Sequence, residues 1–164
     1  MSLEENFTPI WQRFLEMEII RSQYCLKFAG SANAYLVLQV VCWHHLLLVT
    51  EDQAGSSYEA TIDSWFASQT GVTASNKKLT YALISDLTGL DKETVRRNVK
   101  MLEKQGFVSA DRKTGVMFTP TPENNDRLVN DLNVKIMDLV KHFAGTLARY
   151  GALASDAQKQ ETGG

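Results

Sequence analysis

The chain has 164 residues with 44% apolar and 22% charged side chains, the balance of an ordinary soluble globular protein of one domain, or one small domain with helical additions. Two cysteines, Cys25 and Cys42, are too few for a disulfide framework, and the acidic start Met1-Ser2-Leu3-Glu4-Glu5 lacks the basic end of a secretory signal, so the composition implies a reduced, cytoplasmic setting. The net charge of −2 hides a split: Lys77 to Lys113 carries nine Lys or Arg against five Asp or Glu (+4), and the rest carries eight against fourteen (−6).

Thr8-Pro9 offers a cap and a proline at the first helical position. Behind it Ile10, Phe14 and Met17, with Trp11 and Leu15, recur at three- and four-residue spacings, which predicts an amphipathic helix to about Phe28. Gly30 ends it, and Ser31 caps a second helix from about Ala32 to Val49. That helix is apolar on nearly all sides, so it is expected to be central and buried. Its most apolar run, Tyr35 to Val49, is broken by Gln39, His44 and His45 and reads as too short to cross a bilayer, so no membrane is expected as a partner. Residues 1–50 are thus a helical core and dimerisation segment. Glu51 to Ser57 reads as a loop, Tyr58 to Ser68 as a short helix and Gln69 to Asn76 as turns, making 51–78 an insertion.

The specific signal lies between Leu79 and Thr121. Leu79, Leu83, Ile84 and Leu87 mark one face of a short helix that stops at Thr88-Gly89, where glycine suits a left-handed turn. Asp91 then caps a second helix, with Val95, Val99 and Leu102 pointing inward and Lys92, Glu93, Arg96, Arg97 and Lys100 left outside. Two short helices joined by a glycine turn, the second with a basic outer face, read as a helix-turn-helix. Gly106 to Ala110 and Val116 to Thr119 follow as two strands, with Asp111 to Gly115 as a turn bearing Arg112 and Lys113 at its tip, which reads as a wing.

Thr121-Pro122-Glu123 opens a last long element. Leu128, Leu132, Ile136, Leu139, Phe143, Leu147 and Tyr150 then predict one helix over 122–152 with an apolar stripe too long to bury within one subunit. A homodimer through the N-terminal helix and helix 122–150 is the expected consequence. Residues 153–164 are expected to be a frayed tail.

The string from Gly89 to Val108 resembles the DNA-binding module of Crp/Fnr-type bacterial regulators. The resemblance rests on glycine, two residues, Lys92, Glu93-Thr94-Val95, one residue and Arg97, followed by Lys100-Met101-Leu102-Glu103. It implies that Lys92, Glu93 and Arg97 read base edges and that Thr94 touches phosphate. Asn98 departs from the pattern, which places an aliphatic residue there, so its amide needs a partner or solvent. The nucleotide-binding β-roll of that family has no counterpart in Met1 to Lys78, which reads as helices; in layout alone the chain is similar to MarR-type dimers.

The expected fold is therefore mainly α: a winged helix-turn-helix over 79–121 with a small β-hairpin wing and long flanking helices at both ends. The expected function is sequence-specific binding of double-stranded DNA by a transcriptional regulator. Helix 91–105 would lie in the major groove and the wing 107–119 on the backbone, with dimer half-sites about 34 Å apart. Arg or Lys can donate to guanine and Glu can accept from cytosine, whereas Arg96, Lys100, Arg112, Lys113, Lys77 and Lys78 suit phosphates. The alternative is a winged helix that binds an acidic protein instead of DNA.

Cys42-Trp43-His44-His45, with only His142 left to recruit, falls short of a zinc ligand set and reads as core, so no metal or cofactor is expected. Tyr35, Trp43, Trp65 and Phe66 are candidates to line a pocket for a small-molecule effector, with core packing the commoner use of such residues. No nucleophile triad, phosphate loop or carboxylate pair stands out, and no enzyme is expected.

Overall fold

The structure, a computed structural model, describes residues 4–50 and 78–153. It is mainly α-helical with one small two-stranded antiparallel sheet. The described residues fall into two compact units, one drawn from Met1–Cys25 and Leu128–Gly164 and the other from Leu26–Arg127. The expected loop, short helix and turns of 51–76, and the tail from 154 onward, lie outside the described residues.

Helix α1 spans Phe7–Ala29 and begins one residue ahead of the expected Thr8 cap. Pro9 therefore sits within the first turn, where backbone N–H groups have no helical partner and a missing one is tolerated. Gly30, at φ 83°, turns the chain out of α1, and Ser31 Oγ accepts the N–H of Ala34 at 3.0 Å to start helix α2, Ala32–Thr50. This helix carries no charged side chain, and its Ala32–Val49 stretch is long and apolar enough to cross a membrane by length and composition, so the shorter run considered above understated it. Its Ala34, Val37, Leu38 and Val41 are at most 1% exposed, and it packs on the two following helices and on the second strand. It is the core helix of its unit. It is not buried all round, however: Trp43, Leu46 and Leu47 are exposed on its C-terminal half.

Helix α3, Tyr81–Thr88, is capped by Thr80 Oγ1, which accepts the Leu83 N–H at 3.1 Å. Leu79 is thereby left outside the helix, where it bridges Gly115 and accepts the Val116 N–H at 2.8 Å. The expected apolar face is corrected accordingly. Ile84 is fully buried, whereas Leu83 and Leu87 are 40% and 48% exposed. Gly89 takes the left-handed conformation, φ 73°, and Asp91 caps helix α4, Lys92–Lys104. Val95, Val99 and Leu102 are wholly buried there, at the four- and three-residue spacing of one helical face.

Strands β1, Val108–Asp111, and β2, Gly115–Phe118, pair from Val108↔Phe118 to Asp111↔Gly115. The turn is thus Arg112 to Thr114, shorter by two than expected, because Asp111 and Gly115 are themselves paired. A Cβ on Gly115 would lie 2.6 Å from the Leu79 carbonyl oxygen, so the bridge requires glycine.

Thr121 caps α5, Pro122–Asp126, with proline at its start as expected. The chain then passes through a π-helical segment, Arg127–Leu132, into α6, Asn133–Arg149. One uninterrupted α-helix was expected. The wider π turn brings Leu128, Val129 and Leu132 inward together, and all three are buried.

Candidate nucleic-acid interface

The unit Leu26–Arg127 holds every described residue of the expected interface. The three buried side chains of α4, Val95, Val99 and Leu102, fix which of its residues face out. Lys92, Glu93, Arg97 and Lys100 are exposed, and Arg96 and Thr94 are half-buried. Asn98 folds its amide back onto the Thr94 carbonyl at 2.8 Å, so the departure from an aliphatic residue leaves no orphaned donor.

Four of the five acidic residues from Lys78 to Lys113 are turned onto local partners, and Asp86 is exposed on α3. Asp91 accepts the Thr94 N–H at 2.9 Å and its hydroxyl at 2.6 Å, and these bonds hold the carboxyl below its ordinary range. Glu93 takes two bonds from the Arg96 guanidinium, at 2.7 and 2.5 Å, which lower its pKa and raise that of Arg96. Glu103 Oε1 accepts the Ala110 N–H at 3.2 Å, tying the end of α4 to β1. Asp111 closes the hairpin by accepting the N–H groups of Lys113 and Thr114 at 2.6 and 2.8 Å and the Thr114 hydroxyl at 2.7 Å. Those bonds depress its pKa as well.

The cations are left outward. Lys92, Lys100, Arg112 and Lys113 are exposed and pair with no carboxylate among the described residues. Arg97 is exposed too and only grazes the Thr94 hydroxyl, at 3.4 Å. From Lys78 to Lys113 there are eight Lys or Arg and five Asp or Glu, a balance of +3. Lys78 donates its ammonium to the Arg112 carbonyl, which places it at the hairpin tip with Arg112 and Lys113. Lys77 lies outside the described residues.

Two of the sequence-derived roles change in detail. Thr94, expected to meet phosphate, already donates its hydroxyl to Asp91. Glu93, expected to read a base, is held by Arg96 and must exchange that partner to do so. Two participants escaped the sequence. Tyr81, at the start of α3, lines a cleft of about 330 Å³ at the foot of the hairpin with Lys78 and Arg112. Buried Asn124 donates to the carbonyls of Gln105 and Gly106 at 2.8 and 3.1 Å, bracing the turn between α4 and β1. Neither residue has a spacing signal, because each acts across the fold. Lys78, expected at a phosphate by its charge alone, gains its place from the bond to the Arg112 carbonyl.

The residues considered for a metal or an effector are placed differently. His45 is buried against the Phe118 ring, with centroids 5.3 Å apart, and burial, with a smaller effect of His44, lowers its pKa to about 4. Burial pushes the Cys42 thiol up to about 12. Among the described residues no three His, Cys, Asp or Glu side chains gather as a metal site. Trp43 is 51% exposed and Tyr35 half-buried, while Trp65 and Phe66 lie outside the described residues.

No protein-family model, curated protein or solved structure matches the chain.

Proposed function

We propose that the chain is a winged helix-turn-helix protein that binds double-stranded DNA as a transcriptional regulator. Helix α4 is inserted in the major groove and the β1–β2 tip lies along the backbone. The observation that carries the reading is the sorting of charge in Lys78–Lys113: every carboxylate but that of Asp86 is bound to backbone N–H groups or to Arg96, and Lys92, Arg97, Lys100, Arg112 and Lys113 are left facing out. The resemblance of Gly89 to Val108 to Crp/Fnr-type modules supports the same reading. So do the left-handed Gly89 turn and the Asp91 cap, which end one short helix and start the next with three residues between them.

In this reading Lys92 and Arg97 donate to base edges, and Glu93 accepts from a cytosine amino group once Arg96 moves to a phosphate. Lys100, Arg112, Lys113 and Lys78 add phosphate contacts, which supply affinity without sequence information. Lys77, one residue before Lys78, is assigned the same role by charge.

Selection from a random duplex pool at two salt concentrations tests the function. The wild type is expected to enrich one sequence and to weaken steeply with salt. Arg97→Ala should relax one base position, at a cost of about 1–3 kcal/mol per lost base contact. Arg112→Ala with Lys113→Ala should weaken all sequences alike and reduce the salt slope by about 2. Absence of binding to any duplex at low salt overturns the reading and leaves α4 as a surface for an acidic protein.

A further inference from the structure

The compact unit that contains most of α1 and all of α6 holds a groove of about 830 Å³ between these two helices. The Phe14 and Phe143 rings meet at 5.7 Å between centroids, and the Lys135 ammonium lies 5.6 Å from the centre of the Tyr24 ring. Within this unit the helices therefore run antiparallel. Counted from these contacts, Arg13 comes level with Gly145, and Ile20 with Asp138 and Leu139. The two ends of the groove are thus chemically unlike. Arg13, Gly145 and Arg149 line one end, Ile20 and Leu139 line the other, and Met17 and Phe143 lie between them. These four apolar side chains are half-buried, so they form a floor that still reaches the groove.

Two features of the cationic end point to a ligand. Arg13 gives one bond to Glu16, at 2.6 Å, and its other N–H groups have no partner among the described residues. Arg149 is exposed and its guanidinium has none there either. Gly145 lies within α6, where glycine costs stability relative to alanine, yet a Cβ there would meet nothing within 4 Å. Packing of α1 on α6 therefore does not require the glycine. The space it leaves adjoins Arg13 across the groove and Arg149 one turn along.

We propose that this groove binds a linear aliphatic carboxylate, with the head between Arg13 and Arg149 and the chain laid along Phe143, Met17, Leu139 and Ile20. Charge selects a monoanion. Arg13, Lys141 and Arg149 against Glu16 and Asp138 give the groove a balance of +1 with His142 neutral. The Glu16 carboxylate beside Arg13 also disfavours a second negative charge, as on a phosphate dianion. A guanidinium matches a carboxylate with two parallel N–H bonds. Length selects the chain: from Gly145 to Asp138 the groove runs about 10 Å at the helical rise, which suits a medium-length chain such as that of octanoate. Tyr35 and Trp43, considered above for an effector pocket, belong to the other unit. The inference does not depend on DNA binding.

Calorimetric titration of the full chain with octanoate, up to a few millimolar, is expected to show saturable binding of one molecule per chain. Octanol should bind at least about tenfold more weakly, because it lacks the charge-assisted bonds. Arg13→Gln with Arg149→Gln should weaken octanoate at least about tenfold for the same reason. Gly145→Leu should block the groove with a similar loss. Leucine is a good helix former and its Cβ meets no atom within 4 Å, so this variant should melt no lower than the wild type. Met137→Gln, exposed and outside the groove, should leave binding unchanged, which separates the groove from adsorption on apolar surface. Absent or non-saturable binding, octanol as tight as octanoate, binding that survives either groove variant, or a loss with Met137→Gln overturns the proposal. So does a Gly145→Leu protein of half the wild-type mass in light scattering, which would assign the groove to a second copy of the chain.

Discussion

Helices α4 and α6 both carry an apolar stripe at helical spacing, yet they end in opposite conditions. In α4, Val95, Val99 and Leu102 are fully buried against α2 and α3, whereas α6 buries none of its side chains. The difference teaches that an amphipathic pattern specifies a face and leaves its partner open. For α4 the partner lies a short loop away in the same chain. For α6, among the described residues of its unit, the partner helix is α1, and Phe7, Trp11, Leu15, Ile19, Met137 and Val140 of the two helices stay exposed.

The sharpest way to break this comparison is to truncate matched side chains. Leu102→Ala should destabilise its unit by about 2–5 kcal/mol in urea unfolding, because a side chain with no exposure leaves a cavity. Met137→Ala, 62% exposed, should change unfolding negligibly in dilute protein and measurably only where the chain self-associates. Equal losses in dilute protein would mean that α6 is buried within the single chain.

Acid sharpens the comparison next. His45 has a folded-state pKa of about 4 against an ordinary 6.5, so the unfolded chain binds its proton first as pH falls. Stability of the unit holding His45 should therefore fall between about pH 6.5 and 4, by about 2 kcal/mol once solvent screening is allowed for, and level off below that window. His45→Gln should flatten this dependence in a pH series of urea melts. An unchanged slope would place the responsible group elsewhere.

The smallest effect concerns a cap. Thr121 accepts the Asn124 N–H, and Thr121→Ala should cost about 1 kcal/mol in the same melts, with no effect on oligomeric mass. A change in mass would show that the start of α5 reaches the association surface.

Much of the local architecture was legible in the residues. Asp91, Thr121, Pro122 and Gly89 occupy the caps and turns their chemistry favours, and Val95, Val99 and Leu102 are buried as their spacing implies. Short-range geometry decides such features, and a few neighbouring residues contain it. Leu79 was misplaced because its use depends on Gly115, thirty-six positions later, whose missing Cβ lets the two backbones approach. Tyr81 and Asn124 carried no signal for the same reason. In the candidate interface, Lys92, Arg97 and Lys100 were legible as an outer basic face. The holding of Glu93 by Arg96, of Thr94 by Asp91 and of Lys78 by the Arg112 carbonyl was not.

The amino-acid sequence by itself thus determined where the described helices form, which faces are apolar and where positive charge collects, because propensity, capping and periodicity act over a few residues. Tertiary structure alone decided which faces find a partner within the chain and which polar groups are already occupied. Those outcomes depend on backbone and side-chain atoms brought together from distant positions, and packing and hydrogen-bond geometry arise only there.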